Sequence, residues 1–343
     1  MSEPAPLNVE ELEDRLSTPS SEAIRVLSEI PGDLILLGVG GKMGPTLARM
    51  ARRASDVAGQ NRRIIGVSRF SDPGLPERLS QWGIETISCD LLNGAEVDRL
   101  PEAPLVVYMM GMKFGASRNP ALTWAMNCYA PGLVCRKFRN SRIVAFSSGN
   151  VYGMVPSDGT GSRETDSLSP TGEYSMTVLG RERMFQYFGE QLQIPTALLR
   201  LNYATELRYG VLVDIAKTVL AGNPIDITMP TVNVIWQAEA NAMTLAALNH
   251  TAIPAKIINI AGPEMLRVKD VANRFGQLMD KPVQLEGDEG PVAYLNDGAL
   301  GHQLLGQVHV SADQMIQWIA QWVLQGGESL NRPTHFQVVS GKF

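Results

Sequence analysis

Three glycines spaced three residues apart are the clearest feature of the sequence that could bind a charged ligand. Gly38, Gly41 and Gly44 follow a short apolar run and precede a stretch of helical period, with Lys42 and Met43 in the same loop. Such a loop lets a diphosphate approach the backbone and rest on the free N–H groups that begin a helix. Glycines also serve ordinary turns, but this position on the first strand of an alternating series favours binding of a dinucleotide.

The end of the second apolar run, 64–67, bears on which dinucleotide binds. Sites that prefer NAD usually place an acidic side chain here, where it accepts hydrogen bonds from a ribose hydroxyl. Here Ser68 occupies that position and Arg69 follows it. A hydroxyl beside a guanidinium would bind a 2′-phosphate, whereas a carboxylate would repel it. We therefore expect NADP to be preferred, with NAD tolerated if Arg69 is only a surface charge.

The elements that must position this loop are short apolar runs alternating with segments of helical period. The runs lie at 34–37, 64–67, 105–109, 143–146, 197–201 and 257–260, and the segments between them include 46–53, 122–138 and 175–192. Continuous apolar strands separated by helices are typical of a parallel sheet covered on both faces. The sequence predicts an α/β fold, with a doubly wound, mainly parallel Rossmann sheet and a smaller C-terminal substrate-binding region.

Both ends of the chain extend this core. Residues 9–30 predict two short helices, with Thr18 and Pro19 as the start of the second. Late in the chain, where Pro and Gly become frequent, periodicity predicts helices at 268–278 and 312–324. The predicted parts are an N-terminal helical extension (1–30), a dinucleotide-binding domain (31–203) and a C-terminal substrate-binding part (204–343), from which a strand near 256–260 returns to the sheet.

Composition excludes several functional classes. A hydrophobic content of 44% excludes disorder as the main state, and a net charge of −5 argues against nucleic acid or an anionic membrane as the partner. Three scattered cysteines and four scattered histidines predict neither a disulfide framework nor a metal site. The longest apolar run, 104–112, is about half the ~18–20 residues of a membrane-spanning helix. Because the first eight residues also lack the order of a signal peptide, we expect a cytoplasmic protein.

Further short motifs follow the predicted strands in order. They are Asp90-Leu91 after a third strand, Met109-Met110-Gly111 at the end of the run 105–109, which is then the fourth strand, Ser147-Ser148-Gly149-Asn150-Val151-Tyr152-Gly153 and Arg200-Leu201-Asn202-Tyr203. Asn127 lies in the helical segment after the fourth strand. With the glycine loop, these motifs resemble those of the extended short-chain dehydrogenase/reductases. The resemblance is to the NAD-dependent epimerase/dehydratase type, which acts largely on nucleotide sugars, and it runs from about residue 33 to residue 324.

This resemblance implies a role for each motif. The aspartate at position 90 would meet the adenine amino group, and the backbone at the end of the fourth strand would line the cofactor. The hydroxyl of Ser148 would bind the substrate oxygen, and the phenol of Tyr174 would transfer the proton. The residues expected to contact the cofactor are Gly38, Gly41, Lys42, Met43, Gly44, Ser68, Arg69, Asp90, Leu91, Met110, Gly111, Asn127, Ser147 and Asn202.

One position departs from the family's pattern. The family pairs its tyrosine with a lysine four residues later, which lowers the pKa of the tyrosine and binds the nicotinamide ribose. Val178 occupies that position, and no lysine lies between Lys137 and Lys217. A free tyrosine has a pKa near ~10, so about one in a thousand is ionised at pH 7. Loss of the lysine should therefore reduce the rate enhancement from acid–base catalysis, which is typically roughly 10²–10⁴-fold.

Other charged residues receive secondary interpretations. Arg181, seven residues after Tyr174, could replace the lysine electrostatically, but we interpret it as a solvated charge on the helix. Lys113, just after the fourth strand, could meet an anionic substrate or be a solvated loop residue. His302 and His309 have no carboxylate or cysteine at ligand spacing and are interpreted as non-functional.

Two functions remain open at this stage. The first is an NAD(P)-dependent oxidoreductase or epimerase acting on a sugar-like alcohol or ketone. The second is a dinucleotide-binding sensor or scaffold that has lost turnover. Retention of Ser148, Tyr174 and Asn202 favours the enzyme, whereas Val178 favours the sensor. The resemblance also implies a homodimer formed through the helices at 122–138 and 175–192, where Leu122, Met126, Tyr129 and Leu133 form an apolar stripe.

Overall fold

A central parallel sheet organises the molecule. The computed structural model describes residues 4–113 and 115–338, within which the sheet has seven strands in the order β7-β6-β5-β4-β1-β2-β3. The strands are β1 (Leu34–Leu37), β2 (Ile64–Ser68), β3 (Glu85–Ser88), β4 (Leu105–Tyr108), β5 (Arg142–Ser148), β6 (Thr196–Leu201) and β7 (Lys256–Ile260). All neighbouring pairs are parallel. The order reverses between β1 and β4, which creates a crevice at their carboxyl ends. The predicted Rossmann sheet is confirmed.

Helices cover both faces of the sheet and build the C-terminal part. They are α1 (Val9–Leu16), α2 (Ser21–Glu29), α3 (Gly44–Val57), α4 (Leu75–Gln81), α5 (Gly94–Asp98), α6 (Pro120–Trp124), α7 (Ala130–Lys137), α8 (Gly172–Leu192), α9 (Val211–Leu220), α10 (Gln237–Ala246), α11 (Val268–Met279), α12 (Ala299–Leu305) and α13 (Ala312–Leu324). A π-helical turn (Ala125–Tyr129) joins α6 to α7, and 3₁₀ turns lie at Gly149–Tyr152 and Ala247–His250. Two-residue strands lie at Val155–Pro156, Ala204–Thr205, Ile225–Asp226, Thr231–Val232, Ile235–Trp236, Leu266–Arg267, Leu285–Glu286 and Val292–Ala293.

Alternation along the strands divides the core into two layers. In β1, Leu34 and Leu36 belong to the apolar cluster that includes residues of α2, α3 and α10. Ile35 and Leu37 belong to the cluster on the other face, with residues of α7 and α8. All four side chains are fully buried. Successive strand residues point to opposite faces, so a strand buried on both faces is apolar throughout. This geometry explains the continuous apolar runs of the sequence.

A third apolar cluster forms the core of the C-terminal part. Helices α9, α11 and α13 contact one another there. The cluster also contains Leu12 and Leu16 of α1, whereas α2 packs in the first sheet layer. The N-terminal extension therefore contacts both parts of the molecule. The boundaries 1–30, 31–203 and 204–343 stay a prediction.

Several local expectations require correction. The second helix begins at Ser21, not at Thr18, because the Ser20 hydroxyl accepts from Ala23 N while the Thr18 hydroxyl donates to Asp14 O. The predicted helices at 268–278 and 312–324 are confirmed as α11 and α13. Helices α9 and α10 were not predicted: α10 is mostly buried and lacks a clear polar face, whereas the polar side chains of α9 (Asp214, Lys217 and Thr218) recur at helical spacing and were not recognised.

Candidate active site

The glycine loop lies where β1 meets α3. Gly38 has φ +97°, a conformation that favours glycine, and a Cβ there would lie 2.8 Å from Met110 N. A Cβ on Gly44 would lie 2.1 Å from Val39 O. No side chain caps the first turn of α3, which begins at Gly44. The loop thus offers a cradle without side chains and a helix N-terminus, and these features fit a diphosphate.

The end of β2 faces the same loop. Ser68 Oγ would lie 2.6 Å from a Cβ on Gly40, so the hydroxyl contacts the glycine loop directly. Arg69 is exposed, and it makes no hydrogen bond or ion pair with any residue that the structure describes. Its guanidinium is therefore available to a ligand at this edge.

Asp90 and Leu91 follow β3, next to the end of β2 where Ser68 lies. Asp90 is half-buried, and its Oδ1 accepts from Leu92 N at 3.0 Å, which fixes the turn after β3. Its backbone N–H donates to Glu96 Oε2 at 2.8 Å. Leu91 is buried at 3% exposure. The placement fits the expected contact with the base, and that contact stays a prediction.

Asn127 links the end of β4 to α8. It lies in the π-helical turn and is fully buried. Its Oδ1 accepts from Met112 N at 3.0 Å, and its Nδ2 donates to Thr177 Oγ1 at 2.8 Å. A Cβ on Gly111 would lie 3.1 Å from Asn127 Oδ1, so only glycine fits there without displacement. Asn127 therefore holds the backbone just beyond Met110, where the cofactor was expected to lie.

Ser148 and Tyr174 meet in a cavity of about 160 Å³ at the carboxyl ends of β5 and β6. Ser148 is buried, and its Oγ lies 3.2 Å from both the N and the Oδ1 of Asn150. Burial raises the pKa of Tyr174, while Arg181 and a hydrogen bond from Ser148 oppose that rise. The structure thus brings together the two residues expected to do the chemistry.

Ser147 points into a buried ion pair beneath this cavity. Its hydroxyl donates to Glu182 Oε1, and Glu182 accepts two hydrogen bonds from Arg200, at 2.9 and 2.8 Å. The guanidinium of Arg200 lies 4.6 Å from the centre of the Tyr152 ring. The side chain of Ser147 therefore positions the end of β5 through Glu182, although Ser147 also lines the cavity.

Asn202 follows β6 and lines the cavity too. Its Nδ2 donates to Asn233 Oδ1 at 2.7 Å, and Asn233 Nδ2 donates to Asn296 O at 2.8 Å. The three residues are buried. Asn202 thus ties the sheet to two loops of the C-terminal part, and its expected cofactor contact stays a prediction.

Two lysines border the cavity. Lys42 Nζ lies 3.1 Å from the centre of the Tyr209 ring, and Lys113 Nζ lies 5.7 Å from that of Tyr174. Burial, reinforced by the charge of Lys113, lowers the pKa of Lys42 to about 7. Burial lowers the pKa of Lys113 to about 8. Lys113 thus lies at the site and is not a solvated loop residue. Both lysines can therefore carry a positive charge near neutral pH, and an anionic ligand would favour their charged forms.

The helix α8 carries both the departure from the family pattern and its neighbour Arg181. Val178 is fully buried against Val151 and Tyr152. The interpretation of Arg181 as a solvated charge is wrong, because its side chain is buried at 5% exposure. The sequence carried a signal for this: positions 178, 181 and 185 follow a helical stripe that includes Val178 and Phe185.

Sequence reasoning missed other residues around the cavity. Tyr209, Gln237 and Thr334 line it together with the expected pair. Thr334 is held by Asp214, whose Oδ2 accepts from the Thr334 amide at 2.7 Å and from its hydroxyl at 2.6 Å. These residues lie far from the motifs along the chain, and no local pattern marks them.

The remaining candidates contribute no site. His302 Nε2 hydrogen-bonds Ala261 O at 2.8 Å, and His309 donates its amide to Glu239. Within residues 4–113 and 115–338, no three His, Cys, Asp or Glu side chains are placed to hold a metal ion. None of the helices in those residues is long and apolar enough to span a membrane.

Comparison with known proteins decides the family. The family model described as the NAD dependent epimerase/dehydratase family matches residues 34–205, half of the 343-residue chain. The protein belongs to the NAD-dependent epimerase/dehydratase family. This family member gives no match among curated protein sequences. The matched region contains the glycine loop, Ser148 and Tyr174.

Solved structures share the fold of this family member. A UDP-glucuronic acid 4-epimerase of Bacillus cereus, in complex with UDP-glucuronic acid and NAD, has 17% identity and a TM-score of 0.71, covering 85% of this chain and 99% of that one. The Thermus thermophilus UDP-glucose 4-epimerase with NAD has 15% identity and a TM-score of 0.69, with coverages of 84% and 98%. A dTDP-glucose 4,6-dehydratase of Bacillus anthracis with NAD has 13% identity and a TM-score of 0.69, with coverages of 85% and 96%.

Proposed function

We propose that this protein is an NAD(P)-dependent enzyme that epimerises, dehydrates or reduces a nucleotide sugar or a similar sugar alcohol or ketone. One observation carries the proposal: Ser148 and Tyr174 line one cavity at the edge of the sheet where the glycine loop lies, together with Lys42 and Met43 of that loop. The fold is shared with epimerases and dehydratases whose structures contain NAD and, in one case, UDP-glucuronic acid. Those similarities support the class of substrate.

The residues present fit a dinucleotide. The side-chain-free loop at Gly38 and Gly44 would hold the diphosphate at the start of α3, with Lys42 as a nearby cation. Ser68 and Asp90 lie at the ends of neighbouring strands and would bind the adenosine half. When bound, the nicotinamide supplies a hydride acceptor or donor.

The chain's own residues would handle the proton. Tyr174 would take a proton from the substrate hydroxyl, or return one to a carbonyl, through its phenol oxygen. The Ser148 hydroxyl would donate a hydrogen bond to the same substrate oxygen and so orient it toward Tyr174. A base positioned in this way contributes roughly 10²–10⁴-fold to the rate.

The test is hydride transfer or epimerisation with UDP- and dTDP-sugars in the presence of NAD(H) or NADP(H). We expect turnover with at least one sugar, with Tyr174→Phe and Ser148→Ala each lowering kcat by about 10²-fold or more. Tyr187→Phe is the matched control, because Tyr187 is an exposed tyrosine on the same helix. Tight dinucleotide binding without turnover on any sugar would contradict the proposal and favour a sensor.

For the cofactor, we propose that NADP(H) is bound more tightly than NAD(H). The support is local: Ser68 takes the place of an acidic residue, and the Arg69 guanidinium is exposed beside it. The structural neighbours named above contain NAD, so this preference rests on these two residues alone.

We also propose a homodimer formed by the helices α6–α7 and α8. Large apolar side chains are exposed on this surface: Leu122, Trp124, Tyr129, Met176 and Tyr187. Of the stripe noted in the sequence, Leu122 and Tyr129 are exposed, whereas Met126 and Leu133 are half-buried. Light scattering at micromolar concentration should give the mass of two chains, and a monomer mass would reject the dimer.

A cytoplasmic location completes the proposal. Cys89, Cys128 and Cys135 are free thiols. Free thiols suit a reducing compartment. Fractionation of cells that produce the protein would test this.

A further inference from the structure

Arg181 is a buried cation without a balancing anion. Its Nη1 donates to Phe146 O at 2.9 Å and its Nη2 donates to Asn127 Oδ1 at 2.5 Å. Its Nε is buried and has no hydrogen-bond partner in the described part of the chain. Among residues 4–113 and 115–338, no carboxylate lies within ion-pair distance of Arg181, because the adjacent Glu182 is paired with Arg200. A charge removed from water in this way is costly unless the site uses it.

The position of Arg181 relates it to Tyr174. The two residues lie seven positions apart on α8, so their side chains leave the same side of the helix two turns apart. Asn127 hydrogen-bonds both the guanidinium and the first turn of α8: its Oδ1 accepts from Arg181, its Nδ2 donates to Thr177 Oγ1, and that hydroxyl donates to the backbone carbonyl of Tyr174 at 2.9 Å. A Cβ on Gly111 would lie 2.2 Å from Arg181 Nη2, so glycine at the end of β4 makes room for the guanidinium.

We propose that Arg181 is the positioning residue that supplies the fixed positive charge favouring the Tyr174 phenolate, from a different turn of α8 than the family's lysine. This inference rests on the proposed role of Tyr174 in catalysis. Arg181 occupies the space between the ends of β4 and β5, and Val178 fills the lysine position with apolar packing instead. The charge is thus retained while the residue that carries it has changed.

Other charged and titratable groups face Tyr174 from the elements around it. Lys113, Lys42 and Tyr209 line the cavity with Tyr174. Asp214 and Arg332 act on Lys42 and Tyr209. Cys128 and Tyr108 lie near Arg181 instead, and the guanidinium of Arg181 is 5.8 Å from the centre of the Tyr108 ring. The lysines lose their charge near pH 7 and 8. An arginine stays charged at every pH where a tyrosine titrates. The charge of Arg181 therefore persists when Tyr174 ionises.

The experiment is an NMR titration of the full chain labelled with [ζ-¹³C]tyrosine. The Tyr174 resonance is assigned by its absence in Tyr174→Phe. Arg181→Gln should raise the midpoint of the Tyr174 titration by about one pH unit or more, since an opposite charge nearby shifts a pKa by one to three units. Arg183→Gln, which changes an exposed arginine on the same helix, should leave the midpoint unchanged.

A second variant covers the case in which Arg181→Gln does not fold. Asn127→Asp is nearly isosteric and would place a carboxylate against the Arg181 guanidinium. The carboxylate would cancel the electric field of the guanidinium, while Arg181 itself stays in place. It should raise the Tyr174 midpoint in the same direction. A folded Arg181→Gln or Asn127→Asp protein with an unchanged Tyr174 midpoint would overturn the inference.

The readout separates this inference from the proposed function. The titration needs no substrate, so absence of turnover with every sugar would reject the enzyme while leaving the Arg181 result intact. If turnover is found, the pH profile of kcat should move with the NMR midpoint in each variant. A merely structural arginine would alter thermal stability and leave both midpoints in place.

Discussion

Two buried arginines beneath the cavity illustrate different uses of a positive charge. Arg200 on β6 is paired with Glu182, and Ser147 completes the hydrogen bonding of that carboxylate. Among the residues that the structure describes, Arg181 on α8 donates to two neutral oxygens, those of Phe146 and Asn127, and to no carboxylate. A paired charge has little field beyond its partner, whereas an unbalanced charge acts on whatever lies nearby. The first arrangement fixes the strands, and the second sets the electrostatics of the cavity.

The largest effect should come from breaking the balanced pair. Glu182→Gln leaves Arg200 charged and buried without a counter-ion, so the free energy of unfolding should fall by about 3 kcal/mol or more. Urea denaturation measures this loss. The control Glu190→Gln changes an exposed carboxylate on the same helix and should cost less than about 0.5 kcal/mol. A loss below about 1 kcal/mol for Glu182→Gln would show that the pair does not stabilise the fold.

Adding a cation at the family's usual position tests why it is absent. Val178→Lys places an ammonium among Val151 and Tyr152, so the free energy of unfolding should fall by about 2 kcal/mol or more. Activity should rise with pH as Tyr174 ionises, and in the folded fraction the added charge should move that rise to lower pH. Val178→Met is the control of similar length without charge. An unchanged pH profile in a folded Val178→Lys protein would mean that Tyr174 is not the acid or base.

The cavity lysines extend the comparison to cations that titrate. Lys42 and Lys113, with pKa values of about 7 and about 8, are charged at pH 6 and neutral at pH 9. An anionic dinucleotide favours the charged forms, so its affinity should fall as pH rises over this range, by about 1.5–3 kcal/mol for each lysine.

Calorimetry in buffers of different ionisation enthalpy checks this through the protons exchanged. Binding at pH 8 should take up protons from the buffer. Lys42→Met should reduce that uptake, whereas Lys217→Met, at an exposed lysine of α9, should not. Binding at pH 8 without proton uptake would contradict the role of these lysines.

The smallest effect concerns an exposed cation. Arg69→Ala should weaken NADP(H) binding by about tenfold, because one charge-assisted contact to a phosphate is lost. Affinity for NAD(H) in the same variant should stay constant and serves as the internal control. Calorimetry on the wild-type protein showing equal or tighter NAD(H) binding would refute the preference.

The sequence allowed prediction of the features that repeat locally. Continuous apolar runs identified six of the seven strands, because these are buried on both faces, whereas β3 has no buried residue and gave no such run. Gly38 and Gly44 identified the loop because only a bare backbone fits there. Ser148 and Tyr174 were found through a family resemblance, and the structure brings them into one cavity. These features depend on short segments whose spacing is fixed.

The features that were not predicted depend on contacts between segments that are distant along the chain. Arg181 was misjudged because an arginine on a helix is usually solvated, and its burial follows from the packing of α8 against β4 and β5. Thr334 lines the cavity and is hydrogen-bonded to Asp214, more than a hundred residues earlier in the chain. The 3.6-residue period that reveals a surface helix is weak in α10, which is buried on most sides.

The π-helical turn at Ala125–Tyr129 has a consequence for the length of this segment of the chain. An α-helix turns by about 100° per residue, so the wider turn accommodates one residue more than a regular helix would. Deleting that residue would restore a regular helix and rotate Asn127 away from Arg181 and Thr177. Insertions and deletions between β4 and β5 are therefore tolerable only outside this turn. The π-helical turn between α6 and α7 is thus required for Asn127 to face Arg181 and Thr177 of α8.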